Sequence, residues 1–166
     1  MKPAAGSQLS LLLDAPLHPG KVVWIGVRNR RRAPVTVVER VTAVAGRGLA
    51  GDHYETRNDG ARQVTLISTE DLAAVASFLA RGAIDPSLTR RNLLTTGVNL
   101  LALKDRRFQI GDVVLEYAGT AHPCSRMEEN LGAGGFNAMR GHGGILARIV
   151  TGGEIRIGDS IDILRA

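Results

Sequence analysis

A single cysteine, Cys124, stands in a chain of 166 residues. It has no intramolecular disulfide partner, so nothing argues for an oxidising compartment. It also leaves a structural zinc site short of ligands, because such sites gather four Cys or His side chains in close pairs. His122 is near in sequence, and His53 and His142 would join it only through folding. Long apolar runs are absent too. No stretch approaches the ~20 apolar residues of a membrane span. Leu11-Leu12-Leu13 is cut off by Asp14, too early for the core of a secretory signal. The expected location is the cytoplasm, with no membrane partner. Lysine is scarce: of 21 Lys+Arg only Lys2, Lys21 and Lys104 are lysine. Aromatics are one Trp, two Tyr and three Phe, scattered singly. With no recognition module visible, nucleic acid is disfavoured as a partner despite the net charge of +5.

What is present is ordinary for a globular chain, at 44% hydrophobic and 22% charged residues. The length fits one domain. The positive charge is carried by arginine, whose planar fork grips phosphates and carboxylates in a bidentate way. An anionic partner follows, although a coding bias toward arginine would leave the same mark.

Residues 1–20 hold several prolines and no clean periodicity, and read as an arm before a domain over 21–166. Val22–Val27 is a strand candidate, and the charged turn Arg28 to Pro34 follows it. The basic knot Arg28-Asn29-Arg30-Arg31-Arg32 reads as a solvated hairpin turn. Val35 to Ala45 alternates and is rich in β-branched residues, so it reads as one strand. A Gly-rich loop spans Gly46 to Arg62, and Gln63 to Ser68 is the next strand. A helix follows, capped by Ser68 or Thr69, with Glu70 and Asp71 in its first turn and Gly82 as its stop. The segments Phe108 to Glu116 and Ile155 to Ile163 are alike: strand, Gly-Asp turn, strand. Many short strands and one clear helix point to a mainly-β fold, a bent β-barrel with a few peripheral helices. No βαβ alternation is seen and no GxGxxG or GxxxxGK[ST] follows a strand, so a Rossmann fold is not expected.

Four stretches carry candidate chemistry. Cys124 lies in TAHPCSRMEENL, where Pro123 fits the first turn of a short helix running to Gly132. The positive end of the helix, Arg126 and His122 all favour a thiolate there. A thiolate serves as nucleophile, persulfide carrier or soft metal ligand; an inert, half-buried cysteine is the bland alternative. The tract Leu131 to Gly144 holds six glycines with Asn137, Arg140 and His142. It reads as a structured loop whose backbone N–H groups reach an oxyanion, rather than as a linker. Arg90-Arg91-Asn92-Leu93 sits at the mouth of a strand and could clasp an anionic group, and Gly48-Leu49-Ala50-Gly51-Asp52-His53 forms a Gly-bounded turn; the bland readings are a solvated strand end and an ordinary turn.

GLAGDH, RQVTLIS, RRNLLTTGVNLLAL, FQIGDVVLE, HPCSRMEE and ARIVTGGEIRIGD occur in that order. Together they resemble the MOSC family, named for the C-terminal domain of molybdenum cofactor sulfurases, in its small stand-alone bacterial form. The resemblance runs from about Val22 to Ile163. It implies a β-barrel whose cysteine faces an anionic pterin cofactor, molybdopterin with its molybdenum. Cys124 is then the metal ligand or a persulfide carrier. Arg91 and Asn92 match the R-x-N-like strand start and become candidates for the cofactor's phosphate or pterin. Asp52 and His53 match the Gly-Asp turn, His122 and Arg126 flank the cysteine, and Asn137, Arg140 and His142 follow it. The implied activities are reduction of N-hydroxylated compounds and sulfur transfer, with a non-catalytic cofactor carrier as the alternative. A separate protein is then expected as electron or sulfur donor, and a homodimer is left open. No pyridoxal phosphate domain like that of the sulfurases is expected in a chain with three lysines, and only residues 1–20 precede the barrel.

Overall fold

The structure, a computed structural model, describes residues 2–54 and 59–165. Its centre is a sheet that closes on itself. The first strand, β1 (Gly20–Val27), pairs with both β6 (Leu93–Thr96) and β11 (Ser160–Ile163). From β6 the ring continues through β5 (Val64–Ser68), β9 (Ile145–Thr151), β8 (Val113–Thr120) and β7 (Arg107–Ile110) back to β11. Seven strands thus form a closed barrel, and closure removes the open edges a small sheet would expose. A further strand, β2 (Thr36–Val38), extends β1 outside the ring. A second sheet, in the order β10 (Gly153–Arg156), β3 (Arg40–Val44), β4 (Gly48–Leu49), lies beside it.

Two expectations about strands change. Val35 to Ala45 is not one strand: β2 belongs to the barrel sheet and β3 to the small sheet, and the chain changes sheets at Glu39, whose carbonyl accepts from Ile157 N. The two similar strand–Gly-Asp–strand segments also part ways. β7 and β8 pair as a hairpin about Gly111, whereas β10 and β11 join different sheets. The loop expected over 46–62 contains β4, and its residues 55–58 lie outside the described residues.

All pairings in the barrel are antiparallel except β5 with β6. A parallel pair needs a crossover, and α2 (Thr69–Phe78) provides it. Ser68 caps this helix, its Oγ accepting from Asp71 N, as the sequence predicts. The helix stops before Gly82. Ala80 takes a left-handed φ of 52°, and Arg81 N donates back to the Ala76 carbonyl, a Schellman-like ending made without glycine.

Two apolar clusters explain the layout. Val22, Ile25, Leu66, Leu93, Phe108 and Leu115 fill the barrel, with other buried residues of the ring. Ile67 and Leu94, the neighbours of Leu66 and Leu93, point the other way, toward Leu72, Val75, Met127, Leu131 and Met139. Strands β5 and β6 are therefore covered on both faces, and β5 is buried at every residue. That second layer clamps the helices α2, α3 (Ser125–Leu131) and α4 (Gly135–Met139) onto one side of the barrel. A short N-terminal helix, α1 (Gln8–Leu13), buries nothing. Among the described residues no helix is long and apolar enough to cross a membrane.

Candidate functional site

Cys124 is exposed and occupies the N-cap position of α3, with φ −127° and ψ 179°. Pro123 therefore precedes the helix instead of forming its first turn. The Cys124 carbonyl accepts from Met127 N at 2.9 Å, and its side chain makes no capping hydrogen bond. The backbone thus places the sulfur at the head of the helix, and among the described residues it caps nothing. Met127 and Leu131, both buried, seat α3 on the outer core. Asn130 Nδ2 donates to the Leu88 carbonyl at 2.9 Å, joining α3 to the 3-10 turn Pro86–Thr89.

That turn leads into three consecutive residues with three different fates. Arg90 is its C-cap, left-handed at φ 60° and ψ 26°, a conformation that costs an L-residue about 1–2 kcal/mol. Arg90 lines a cavity of about 370 Å³. Arg91 turns into the protein and is 4% exposed. Its Nε donates to the Gly143 carbonyl at 2.8 Å, Nη1 to Thr89 at 3.3 Å, and Nη2 to Ala121 at 3.3 Å and His122 at 3.5 Å. Asn92 is buried between strands. Its Oδ1 accepts from Thr65 N and Oγ1, both at 3.1 Å, and its Nδ2 donates to the Gly26 carbonyl at 3.2 Å. The amide of Asn92 thus ties β1, β5 and β6 together, and the donors of Arg91 are shared among backbone carbonyls.

Burial lowers the Arg91 guanidinium to about 10, with the Arg62 charge adding to the effect and Cys124 opposing it. It stays charged at neutral pH. Burial first, and then the nearby Arg28 charge, also lowers Arg90; Cys124 again opposes. The cysteine sulfur is therefore within electrostatic reach of both arginines.

The basic knot is not uniformly solvated. Arg28 is 5% exposed, and its Nη1 has no hydrogen-bond partner among the described residues. Its guanidinium stands 5.8 Å from the ring centre of Tyr54, which also carries Arg62 at 4.3 Å. Asp52 holds this strand end through its backbone: Oδ1 accepts from Arg28 N at 2.9 Å and Oδ2 from Tyr54 N at 3.2 Å. His53 donates its N–H to the Arg28 carbonyl while its ring is exposed against Tyr54. The reason the knot differs from expectation is position. Arg28 follows β1 directly and is drawn under the turn, while Arg30, Arg31 and Arg32 stay outside.

The cavity gathers Arg28, Arg32, Arg90 and Arg126 with Ser87 and Asn130. Arg126 pairs with Glu129 one turn along α3. Of the residues expected from sequence, the structure brings Cys124, Arg91 and Arg126 to this side of the barrel, with the backbone of His122, whose side chain is exposed. The Gly-rich tract is a turn and a helix. Its Gly134 and Phe136 N–H groups donate to the Glu128 carboxylate at 2.7 and 2.8 Å, which removes them as ligand donors. Asn137 and Arg140 are exposed. His142 Nδ1 meets Asp71 Oδ1 at 2.9 Å and its ring lies 5.4 Å from that of Phe78, outside the cavity lining. Arg28 and Arg32, expected only as a solvated turn, and Ser87 and Asn130, not singled out from sequence, line the cavity, whereas Arg90 was expected as part of the Arg90-Arg91-Asn92 strand start. The arginine doublet and the basic knot were visible, but which member folds inward was not.

The family model for the MOSC domain matches residues 29–162, and the chain belongs to that family. Membership makes it, in general terms, a molybdenum-cofactor-binding domain. Among solved structures it is similar to the YUAD protein from Bacillus subtilis, with a TM-score of 0.76 and 18% identity over 88% of this chain and 96% of that one. YiiM from Geobacillus stearothermophilus gives 0.69 and 15%, over 89% and 76% of the two chains. YiiM from Escherichia coli gives 0.65 and 15%, over 88% and 70%. These likenesses establish the barrel. No curated protein matches the sequence.

Proposed function

We propose that the chain binds the molybdenum cofactor through the Cys124 sulfur, and that this sulfur is the protein's ligand to the metal. The observation that carries the reading is an exposed sulfur with no hydrogen-bonding task of its own, beside a cavity lined by four arginines. The residues present fit the group. Thiolate is a soft ligand suited to such a metal. Among the described residues no three His, Cys, Asp or Glu side chains gather as a metal site. A metal held here by one sulfur therefore needs the remaining ligands from its own pterin, and the arginines match an anionic carrier.

When bound, the molybdenum supplies two-electron oxygen-atom chemistry, as in reduction of N-hydroxylated compounds. The chain's own part is narrower. The Cys124 backbone fixes the sulfur at the head of α3, Arg91 holds the two loops on either side of it, and Arg90 and Arg126 supply positive charge. Electrons come from a separate donor protein.

Elemental analysis of protein made in cofactor-synthesising cells tests this. Molybdenum in near-equal ratio, lost in Cys124→Ser, is the expected result. Cyanide-releasable sulfur without molybdenum would move Cys124 to persulfide transfer. Bound molybdenum with no turnover of amidoximes would make the protein a cofactor carrier.

A further inference from the structure

The N-terminal helix α1 is mounted inside out, with its polar side tied to the barrel. Arg106 pairs with Asp14 at the helix end, and its Nη2 donates to the Leu13 carbonyl at 2.8 Å. Ser10 Oγ donates to the same Asp14 carboxylate at 3.3 Å, and Ser7 caps the first turn. Ser7, Ser10 and Asp14, three and four positions apart, thus share one side. Leu9, Leu12 and Leu13 have the same spacing on the other side, and they are 56%, 67% and 55% exposed. Leu11 and Leu17 extend the apolar surface. Behind the helix a cavity of about 120 Å³ remains between Leu17 and Pro19 of the arm and Val98 and Ile161.

The single chain does not account for this helix. Its six residues fall well short of the ~12–15 at which an isolated helix becomes even marginal. None of them is buried, and the exposed Arg106–Asp14 pair adds little. Covering the leucine face supplies what is missing.

We propose that this face is the contact between two copies of the chain, packed about a two-fold axis as an antiparallel pair of α1 helices. In such a contact each patch must complement itself. A leucine seam at i, i+3 and i+4 does so, with Leu12 near the axis and Leu9 of one copy facing Leu13 of the other. Charge favours a second copy. Gln8–Leu13 holds no charged residue, and Asp14 is already paired, so no like charges meet at the axis despite the net +5 of each copy. Anionic lipid is drawn by Lys and Arg along the polar side of a helix; here that side holds two serines and an aspartate. The area agrees as well. Five leucines about half exposed amount to roughly 500 Å² per copy, as large as the largest patch on a typical monomer. Two such patches reach the ~1,000 Å² a specific interface needs and stay below the standard ~1,600 Å², which fits a reversible dimer in the micromolar range.

Sedimentation equilibrium of the full chain across micromolar concentrations tests this. A reversible monomer–dimer equilibrium is expected, with a Tm that rises with protein concentration. Leu12→Glu brings two carboxylates together at the axis and is expected to weaken the dimer at least about tenfold and to remove the concentration dependence of Tm. Because Leu12 is exposed in the single chain, Tm at low concentration should match that of the parent. In a Cys124→Ser background, Leu12→Cys should be joined into a covalent dimer by a short bis-maleimide. Val37→Cys, also exposed but on β2, should stay monomeric under the same treatment. A parent that is monomeric throughout overturns the proposal. So does a dimer that Leu12→Glu leaves as tight as before, or equal crosslinking of the two cysteine variants. A monomeric parent that co-sediments with phosphatidylglycerol vesicles, and loses this in Leu12→Glu, would give the face to a lipid surface instead.

Discussion

Arg91 Nε donates to the Gly143 carbonyl at 2.8 Å, and through its other nitrogens the same guanidinium reaches Ala121 and His122, just ahead of Cys124. One side chain thus pins the segment that delivers the cysteine to the segment that returns to the barrel at β9. Arg91→Ala leaves several buried carbonyls without donors, at about 1–3 kcal/mol each, offset by removal of a desolvated charge. We expect a net loss of about 3 kcal/mol in urea denaturation. Arg91→Lys should recover little of it, since an ammonium lacks the fork. An unchanged denaturation midpoint in Arg91→Ala would show the staple to be dispensable.

Cys124→Ser should behave in the opposite way. The cysteine side chain caps nothing, and serine is a favoured N-cap whose oxygen accepts from the first turn. Stability is expected to hold or rise by up to about 1 kcal/mol. A fall in Tm would mean that the sulfur is packed into the fold after all.

The Glu128 carboxyl lies below its ordinary value of 4.5 because the Phe136 and Gly134 N–H groups donate to its charged form. A lowered carboxyl contributes stability that is fully present above that ordinary value and is lost as pH falls through the folded-state value. The difference in Tm between the parent and Glu128→Ala should therefore be full at pH 7 and close as acidification passes below the ordinary carboxyl value and through the lowered folded-state value. A gap that is independent of pH would show that the carboxylate charge does not cap α4.

Gly144 has φ +83°, and a Cβ there would stand 1.8 Å from the Leu66 carbonyl oxygen. That oxygen belongs to β5, paired with β9 at this point, so it has nowhere to move. Gly144→Ala should cost more than about 4 kcal/mol, in the range reserved for steric and backbone conflicts, or prevent folding. Soluble expression with a parent-like Tm would contradict this close approach.

The barrel was legible because its signals are local. Alternating apolar residues, Gly-Asp corners and the Ser68 cap all act within a few residues, and β7, β8, β5 and α2 stand close to where those signals put them. The same locality made Cys124 conspicuous. Arg90, Arg91 and Asn92 show where it ends. As sequence they are one polar triplet at a strand mouth. In the fold a single left-handed residue, Arg90, lets the first side chain face a cavity, sends the second under two loops and places the third between strands. No local pattern distinguishes these outcomes, because those of Arg91 and Asn92 depend on carbonyls 30 to 66 positions away in the chain, those of Ala121, Gly143 and Gly26. Arg28 makes the same point: a basic knot prefers water, and only ring closure beside β1 buries its first guanidinium. Periodicity and composition therefore decided the architecture and the chemical type of the site. Which charges are spent on the fold, and which are left facing a ligand, was decided by long-range packing.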